Sequence, residues 1–437
     1  MLHLKKIENL AFIGLGCCIL YILNFNINNY DIKFSYDADA HIEYIKYVSQ
    51  YLPRSLKIPL REHTYLFYNP PLSYLFPSLV NASCRFFSLI HNNVSTCEIF
   101  YGKFIQIFNS IIYISTILIN LRVLKKINKS DSFINYGYLI LISILAVNYR
   151  TVSMIRSEIY LLFFMSLLLS LVLKAFELEF KVNFRDKIYL GILVGLLALT
   201  RQTAFLLFPS FFIMYLYTKP NQKLNFIKFM SFGGLVGFLI SSWFYFRLYF
   251  TYGSFTTFNQ VPKDFQIMNL PLNFYIPTFD QFTTLFNTPI RPYLDNQFLT
   301  ILYSDIWGDY WKYFRDLQYT DNHFDIGNAY SLISTFIILY LYTYKSDHNK
   351  YLPYFKYIKF TVLVSFIGFL YFQISFPTTS GDGVKATYFI HMIHLVIFIS
   401  SINLESIKKS LRRRYNLLIM LLSFGFIVNF KNFLSLM

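Results

Sequence analysis

Charge is scarce in this chain. Only 14% of its 437 residues are Asp, Glu, Lys or Arg, against about a quarter in soluble domains. That shortage excludes an ordinary water-soluble protein of two or three domains. Acids are scarcer still: 23 Asp and Glu face 39 Lys and Arg, a net charge of +16. Such an excess would suit a nucleic-acid binder if one face or domain held it. Instead the cations fall in short gaps between apolar runs, at Lys5 and Lys6, Arg122 to Lys129, Lys181 to Lys187, Lys219 and Lys223, Lys345 and Lys350, and Lys408 to Arg414. Retention of Lys and Arg in the cytoplasmic loops of membrane proteins explains that pattern without a polyanion, so nucleic acid is not expected as a partner.

Four cysteines are too few for a disulfide framework. Cys17 and Cys18 lie inside the first apolar run, while Cys84 and Cys97 share a polar gap where a bridge is open. A glycine-rich phosphate loop, a Cys/His set with zinc spacing and a Gly-x-Ser-x-Gly elbow are all missing, which leaves nucleotide-driven and metal-hydrolase chemistry without support. The chain also lacks an internal repeat of the kind many transporters carry.

Long apolar runs and aromatic residues are abundant. Hydrophobic residues make up 55% and aromatic ones 21%, and mean hydropathy is +0.43. Since a spanning helix needs about 20 mostly apolar residues, spans are expected near 8–26, 102–121, 133–149, 158–175, 187–200, 202–218, 227–248, 328–344, 357–375, 386–403 and 415–434. The fold class is therefore all-α, a polytopic transmembrane bundle of about eleven spans with juxtamembrane helices on its outer side. The first run lacks a small-residue cleavage site and is kept as a span rather than a signal peptide. Residues 1–437 are expected to form a single integral membrane domain. With the N-terminus in the cytoplasm, every basic gap falls on one side. The gap 250–327 falls on the other, with eight Asp against four Lys and Arg. The cytoplasmic membrane of a bacterium is preferred to the endoplasmic reticulum.

The stretch Ser35–Tyr47 sets Asp37, Asp39, His41 and Glu43 where the first span ends. Ionisable groups at the mouth of a helical bundle are costly to hold out of water, which marks them as functional candidates. Ile45, Val48 and Leu52 then follow at helical spacing until Pro53, describing an amphipathic helix on the membrane face. Tyr44, Tyr47 and Tyr51 are expected at headgroup depth. On that helix Asp39 and Glu43 share a face. Asp37 and Asp39 do not, so one of them belongs to the extended entry.

The proline turn Tyr68-Asn69-Pro70-Pro71-Leu72-Ser73-Tyr74-Leu75 comes next. An acidic motif outside the first span, followed some thirty residues later by such a turn, resembles the GT-C superfamily. These are polytopic glycosyltransferases using polyprenyl-phosphate sugars, among them the protein mannosyltransferases and the aminoarabinose transferases of lipid A. Asn69 stands where the turn usually has His. The resemblance implies transfer of a sugar to a lipid, glycan or protein acceptor on the outer (periplasmic or lumenal) face, with outer loops 27–101 and 250–327 carrying the site. Asp39 or Asp37 would serve as general base, and Glu158 matches a second acidic group, although Arg156 and Glu158 also read as a plain helix end.

Arg201 sits in the tight hairpin Leu199–Ala204, against the positive-inside bias, and its fork of donors suits a phosphate; snorkelling to headgroups is the bland alternative. Lys385, between paired glycines and Tyr388 in Ser380–Tyr388, is a second phosphate-binding candidate with Tyr388. His41, Glu43, Asp305 and Asp309 are candidates for a second acidic or acceptor site. Trp307 and Trp311 would share one aromatic face if helical. No cofactor is assigned; two carboxylates binding a divalent cation is left open. The rival reading is a transporter or flippase of a lipid-linked substrate, and a third is a non-catalytic membrane assembly factor.

Overall fold

The computed structural model describes residues 2–91, 94–129, 135–314, 326–345, 349–378 and 380–435. The described residues form helices joined by turns and loops, with no strand among them. In chain order the helices are α1 Leu2–Asn29, α2 Ala38–Tyr51, α3 Leu72–His91, α4 Val94–Asn128, α5 Tyr136–Ser143, α6 Ala146–Ser153, α7 Glu158–Glu177, α8 Phe184–Thr200, α9 Ser210–Tyr217, α10 Pro220–Tyr252, α11 Leu272–Tyr275, α12 Phe279–Asn287, α13 Phe298–Trp307, α14 Ile326–Thr343, α15 Leu352–Ser375, α16 Ala386–Ser410 and α17 Arg412–Val428.

Six stretches, in α1, α4, α7, α10, α15 and α16, are long and apolar enough to cross a membrane, making the chain a multi-pass integral membrane protein. Three shorter apolar stretches lie at Gln202–Tyr217, Phe298–Trp307 and Tyr330–Thr343. Of the expected spans outside these sets, α8 and α17 run 17 residues each, and 133–149 is divided. Length and composition therefore establish six of the eleven.

Two expected spans are not single helices. The stretch 133–149 divides into α5 and α6 around Ile144 and Leu145. Asn148 Nδ2 donates to Ile142 O at 2.8 Å and Tyr149 Oη to Ser143 O at 3.0 Å, which satisfies carbonyls freed by the break. The stretch 202–218 is a 3₁₀ turn over Gln202–Leu207 followed by α9, since Pro209 cannot donate within a continuous helix.

The chain forms two compact units. One comprises residues 31–119 and 152–261. Its core joins Tyr44, Ile45 and Val48 of α2, Tyr74 of α3, Ala198 of α8, and Phe244 and Leu248 of α10. The helical spacing of Ile45 and Val48 thus holds, but the face they form packs under neighbouring helices. Tyr44 is buried with them, not placed at headgroup depth, while Tyr47 and Tyr51 are half-buried. Cys84 is disulfide-bonded and Cys17 and Cys18 are free; the side chain of Cys97 lies outside the described residues.

Helices α8 and α10 approach through glycines. A Cβ on Gly191 would stand 2.4 Å from Val236 Cβ, and one on Gly237 2.6 Å from Val194 Cγ1. Gly195 and Gly233 are equally crowded. Small residues four apart on both helices allow this close backbone approach, the usual device of helix pairs in lipid. At its far end α10 stops on Gly253, whose φ of 75° suits glycine, with its N–H donating to Tyr249 O at 2.8 Å.

The other unit comprises residues 1–30, 120–151 and 262–437. Its centre is α16, the most enclosed of the six candidate spans, with α5, α14, α15 and α17 packed around it.

Candidate functional site

In the first unit the site begins at the entry to α2. Asp37 caps that helix in a left-handed conformation, φ 54° and ψ 27°, sparsely populated by residues other than glycine and held only where surroundings enforce it. The expected extended entry is therefore left-handed. Asp37 O accepts from His41 N–H at 3.1 Å, and its carboxylate accepts from Tyr65 Oη at 3.1 Å. Asp39, in the first turn, is exposed and makes no side-chain hydrogen bond or ion pair among the described residues. Glu43 is exposed on the same face.

His41, a candidate for the acceptor site, is buried. Its Nδ1 lies 2.8 Å from Tyr74 Oη and its Nε2 3.4 Å from Arg156 Nη1. A guanidinium can only donate. Nε2 must then accept, which places the proton on Nδ1 and directs it at Tyr74. Tyr74 Oη also accepts from Asn69 Nδ2 at 3.0 Å. Tyr44 stacks on Tyr74 with ring centroids 3.9 Å apart and donates to Asn69 O at 3.1 Å. Burial pushes the Tyr74 phenol above its ordinary pKa. The Asn69 bond, Arg201 and Arg156 oppose that shift, and Glu158 adds to it. The hydroxyl stays protonated and lies within the field of both arginines and the carboxylate.

Arg156 is buried. It donates through Nη2 to Tyr36 O at 2.9 Å and lies 4.7 Å from the Tyr36 ring centroid, so it pins the residue preceding Asp37. Arg201 follows the last turn of α8 in extended backbone. Its Nη1 is 2.8 Å from Glu158 Oε1 and 3.1 Å from Ser157 Oγ. Glu158 is fully buried at the start of α7, whereas the Arg201 side chain remains 15% exposed. Glu158 is thus both the first acid of a helix and the partner of the hairpin arginine. Gln202 ties the hairpin to Tyr68 O at 2.9 Å.

One turn before Arg201, Ala198 lines an apolar groove of about 580 Å³ with Val194, Phe205, Phe208, Tyr245 and Phe246. Tyr245 Oη donates to Ala198 O at 2.5 Å. The glycine contact of α8 with α10 therefore shapes the groove wall.

The second unit holds the other expected residues. Arg150, on α6, is buried with Nη1 at 2.7 Å from Asp305 Oδ1 and 3.2 Å from Asp309 Oδ1; its Nη2 also donates to Asp305 O. Asp305 Oδ2 accepts from Ala386 N–H at 2.6 Å, and Asp309 Oδ2 from Phe314 N–H at 2.8 Å. Asp305 thereby holds the start of α16, where a negative charge complements the helix dipole, while Asp309 fastens the backbone at Phe314.

Lys385, at that start, is half-buried, with Nζ 5.9 Å from the Trp311 centroid and 5.7 Å from that of Tyr388. Arg291 lies 5.3 Å over Trp311 and pairs with Asp382 at 3.0 Å. Trp307 and Trp311 form no shared helical face: α13 ends at Trp307, and both indoles are buried.

The structure thus brings Asp37, His41, Glu158 and Arg201 into one unit, and Asp305, Asp309, Lys385 and Tyr388 into the other. Reasoning from sequence missed Tyr74, Arg156 and Arg150. The first sat inside a turn already singled out, and the second read equally well as a helix end. Among the described residues no group of three His, Cys, Asp or Glu side chains is placed to hold a metal ion.

No family model matches the chain, and no curated protein matches it. Among solved structures it is similar to the archaeal oligosaccharyltransferase AglB from Archaeoglobus fulgidus in complex with an inhibitory peptide and a dolichol-phosphate, at 13% identity and a TM-score of 0.49. The match covers 99% of this chain and 56% of that one, so the chain spans little more than half of that protein's length.

Proposed function

We propose that the chain is a membrane glycosyltransferase of the GT-C type, moving a sugar from a polyprenyl-phosphate donor to a hydroxyl of a lipid, glycan or protein acceptor. One observation carries the reading: a partly exposed arginine, paired to a buried carboxylate, follows in sequence one turn after Ala198 of an apolar groove, in the unit that also holds a strained aspartate at a helix entry. The groove suits a polyprenyl chain. Arg201 suits its phosphate, where electrostatic stabilisation of the leaving group supplies most of the rate. Lys385 with Tyr388 is a second phosphate-recognising position.

Of the two early acids, Asp37 is the better base. Arg156 fixes its preceding residue and His41 its carbonyl, so its carboxylate is aimed by the fold, while Asp39 is open to solvent. In the step, Asp37 takes the acceptor proton as the acceptor atom bonds to the anomeric carbon. The bond from that carbon to the phosphate oxygen breaks, and the phosphate leaves with the electron pair beside Arg201. Asp39, Glu43 and Glu158 are the candidates for acceptor binding in this unit, whereas Asp305 serves to position α16 and Asp309 the backbone at Phe314.

The test supplies polyprenyl-phosphate sugars to purified protein in detergent. Asp37→Asn is expected to lower kcat about 10²- to 10⁴-fold, the range for a lost general base. Asp39→Asn is expected to act mainly on KM. Transfer unchanged in both variants rejects the assignment.

A transporter or flippase draws support from one feature, the interrupted α5–α6 stretch, since broken spans line many transport sites. Its carbonyls are bonded internally by Asn148 and Tyr149, and the same stretch carries Arg150 toward Asp305. Movement of donor across vesicles without transfer would favour that reading.

A further inference from the structure

Residues Phe265–Pro277, in the unit holding α15 and α16, run for thirteen positions without a charge. On one side Leu270 and Phe274 are buried, the latter with its ring 5.7 Å from Phe298 of α13. On the opposite side Ile267, Met268, Leu272 and Ile276 are exposed, Met268 at 83%. A loop resting on protein with its other face in water would present mainly polar side chains outward; here four large apolar side chains are exposed beside two polar ones, Gln266 and Asn273.

The segment is fastened to the end of a span. Lys263 N–H donates to Ser375 O at 2.8 Å, Asn269 Nδ2 donates to Ile374 O at 3.1 Å, and the Phe265 ring stacks on Tyr371 at 5.4 Å. Those partners form the last turn of α15. Along that helix Leu363, Ile367 and Tyr371, spaced four apart, are all exposed and make a lipid-facing stripe. The stripe ends on Tyr371, the residue type that marks the boundary between hydrocarbon and headgroups. Phe265 continues it onto the loop.

We propose that Phe265–Pro277 is a membrane-interface strap. Ile267, Met268, Leu272 and Ile276 insert among lipid chains at the end of α15, while Lys263 and Asp264 mark its exit into the headgroup layer. The occupant of the apolar face is bilayer lipid, because the face is continuous with the lipid-facing stripe of α15 and carries no charge. The inference does not depend on the reaction proposed above.

The experiment uses the full chain with Cys17 and Cys18 replaced by Ala. Single cysteines at Met268→Cys, Leu272→Cys or Ile276→Cys carry a nitroxide in vesicles of phosphatidylcholine and phosphatidylglycerol. Relaxation by oxygen, which concentrates in lipid, is compared with relaxation by a water-soluble nickel chelate. Ile367→Cys gives the lipid reference and Glu62→Cys the water reference, with monodisperse elution required of each variant. The expected oxygen-to-nickel ratio at 268 and 272 is several-fold above that at 62 and close to that at 367. A ratio equal to the water reference overturns the proposal. Exclusion of both reagents overturns it as well, since it means that protein covers the face. Three independent positions keep the reading decisive if one label perturbs its site.

Discussion

Removing the carboxylate of Glu158 tests the site most directly. The pair it forms with Arg201 is 2.8 Å long, with Glu158 fully buried and Arg201 15% exposed. Breaking a buried pair by deleting one partner costs about 3–5 kcal/mol, largely because the remaining charge is stranded. Arg201 keeps some solvent and still donates to Ser157, so the low end applies, and Glu158→Gln is expected to cost about 3 kcal/mol. Arg201→Gln strands the fully buried acid and is expected to cost about 3–5 kcal/mol. The double variant removes both charges. Its cost should fall short of the sum by about 1–3 kcal/mol, the coupling of groups in contact.

Denaturant unfolding of the four proteins in one detergent measures the cycle. Raising the salt should leave the coupling nearly unchanged, since buried pairs are poorly screened. In the transfer assay Arg201→Gln should raise the donor KM and lower kcat. Arg201→Lys should recover only part, because the charge survives but the fork does not. Additivity within about 0.5 kcal/mol would mean that the two residues do not interact, and the electrostatic account of the hairpin arginine would be abandoned.

The other expectations concern packing and polar networks. Gly191→Leu and Gly237→Leu should each cost about 1–3 kcal/mol or more from overpacking and weaken donor binding through displacement of Arg201. Gly234→Leu, on the same helix with open space around it, should stay within about 0.5 kcal/mol of the parent; equal effects at all three would refute the close helix contact. Arg150→Met should destabilise by about 3–5 kcal/mol, and adding Asp305→Asn and Asp309→Asn should recover much of it, read by thermal unfolding. Tyr74→Phe leaves the Asn69 amide and the His41 N–H short of an acceptor, at about 1–3 kcal/mol each, and should impair transfer more than Tyr44→Phe. Burial raises the pKa of both phenols above 10, so their contribution to stability is complete below pH 10 and is lost as pH rises beyond it, where only the unfolded chain ionises. Tyrosinate absorbance followed through that range checks the sign.

What could be read in advance follows from what periodicity and charge report. The spacing of Ile45 and Val48 marked an apolar face on α2, but spacing is blind to what covers a face. Tyr44, expected among headgroups, lies under Tyr74 because α3 returns over α2. Mean hydropathy across 133–149 hid the division of that stretch, since Asn148 and Tyr149 repair the broken ladder at positions an average ignores. The glycines at 191, 195, 233 and 237 were legible as a small-residue pattern and went unused, because the pairing of two helices is invisible until both are in hand.

Charged residues give the sharper lesson. Arg150, Arg156 and Arg201 all stand near expected span ends, and each is costly to hold out of water. Their fates differ by partner, and the partners lie far along the chain: Arg150 meets Asp305 across 155 positions and Arg156 meets His41 across 115. Arg150 is surrounded by two buried carboxylates that also bond backbone amides, which leaves a ligand no room to compete. Arg201 keeps part of its surface open beside an apolar groove. The cost of a buried charge is visible in sequence; whether the fold cancels that cost internally, or leaves it for a ligand to share, depends on distances that only the assembled helices supply.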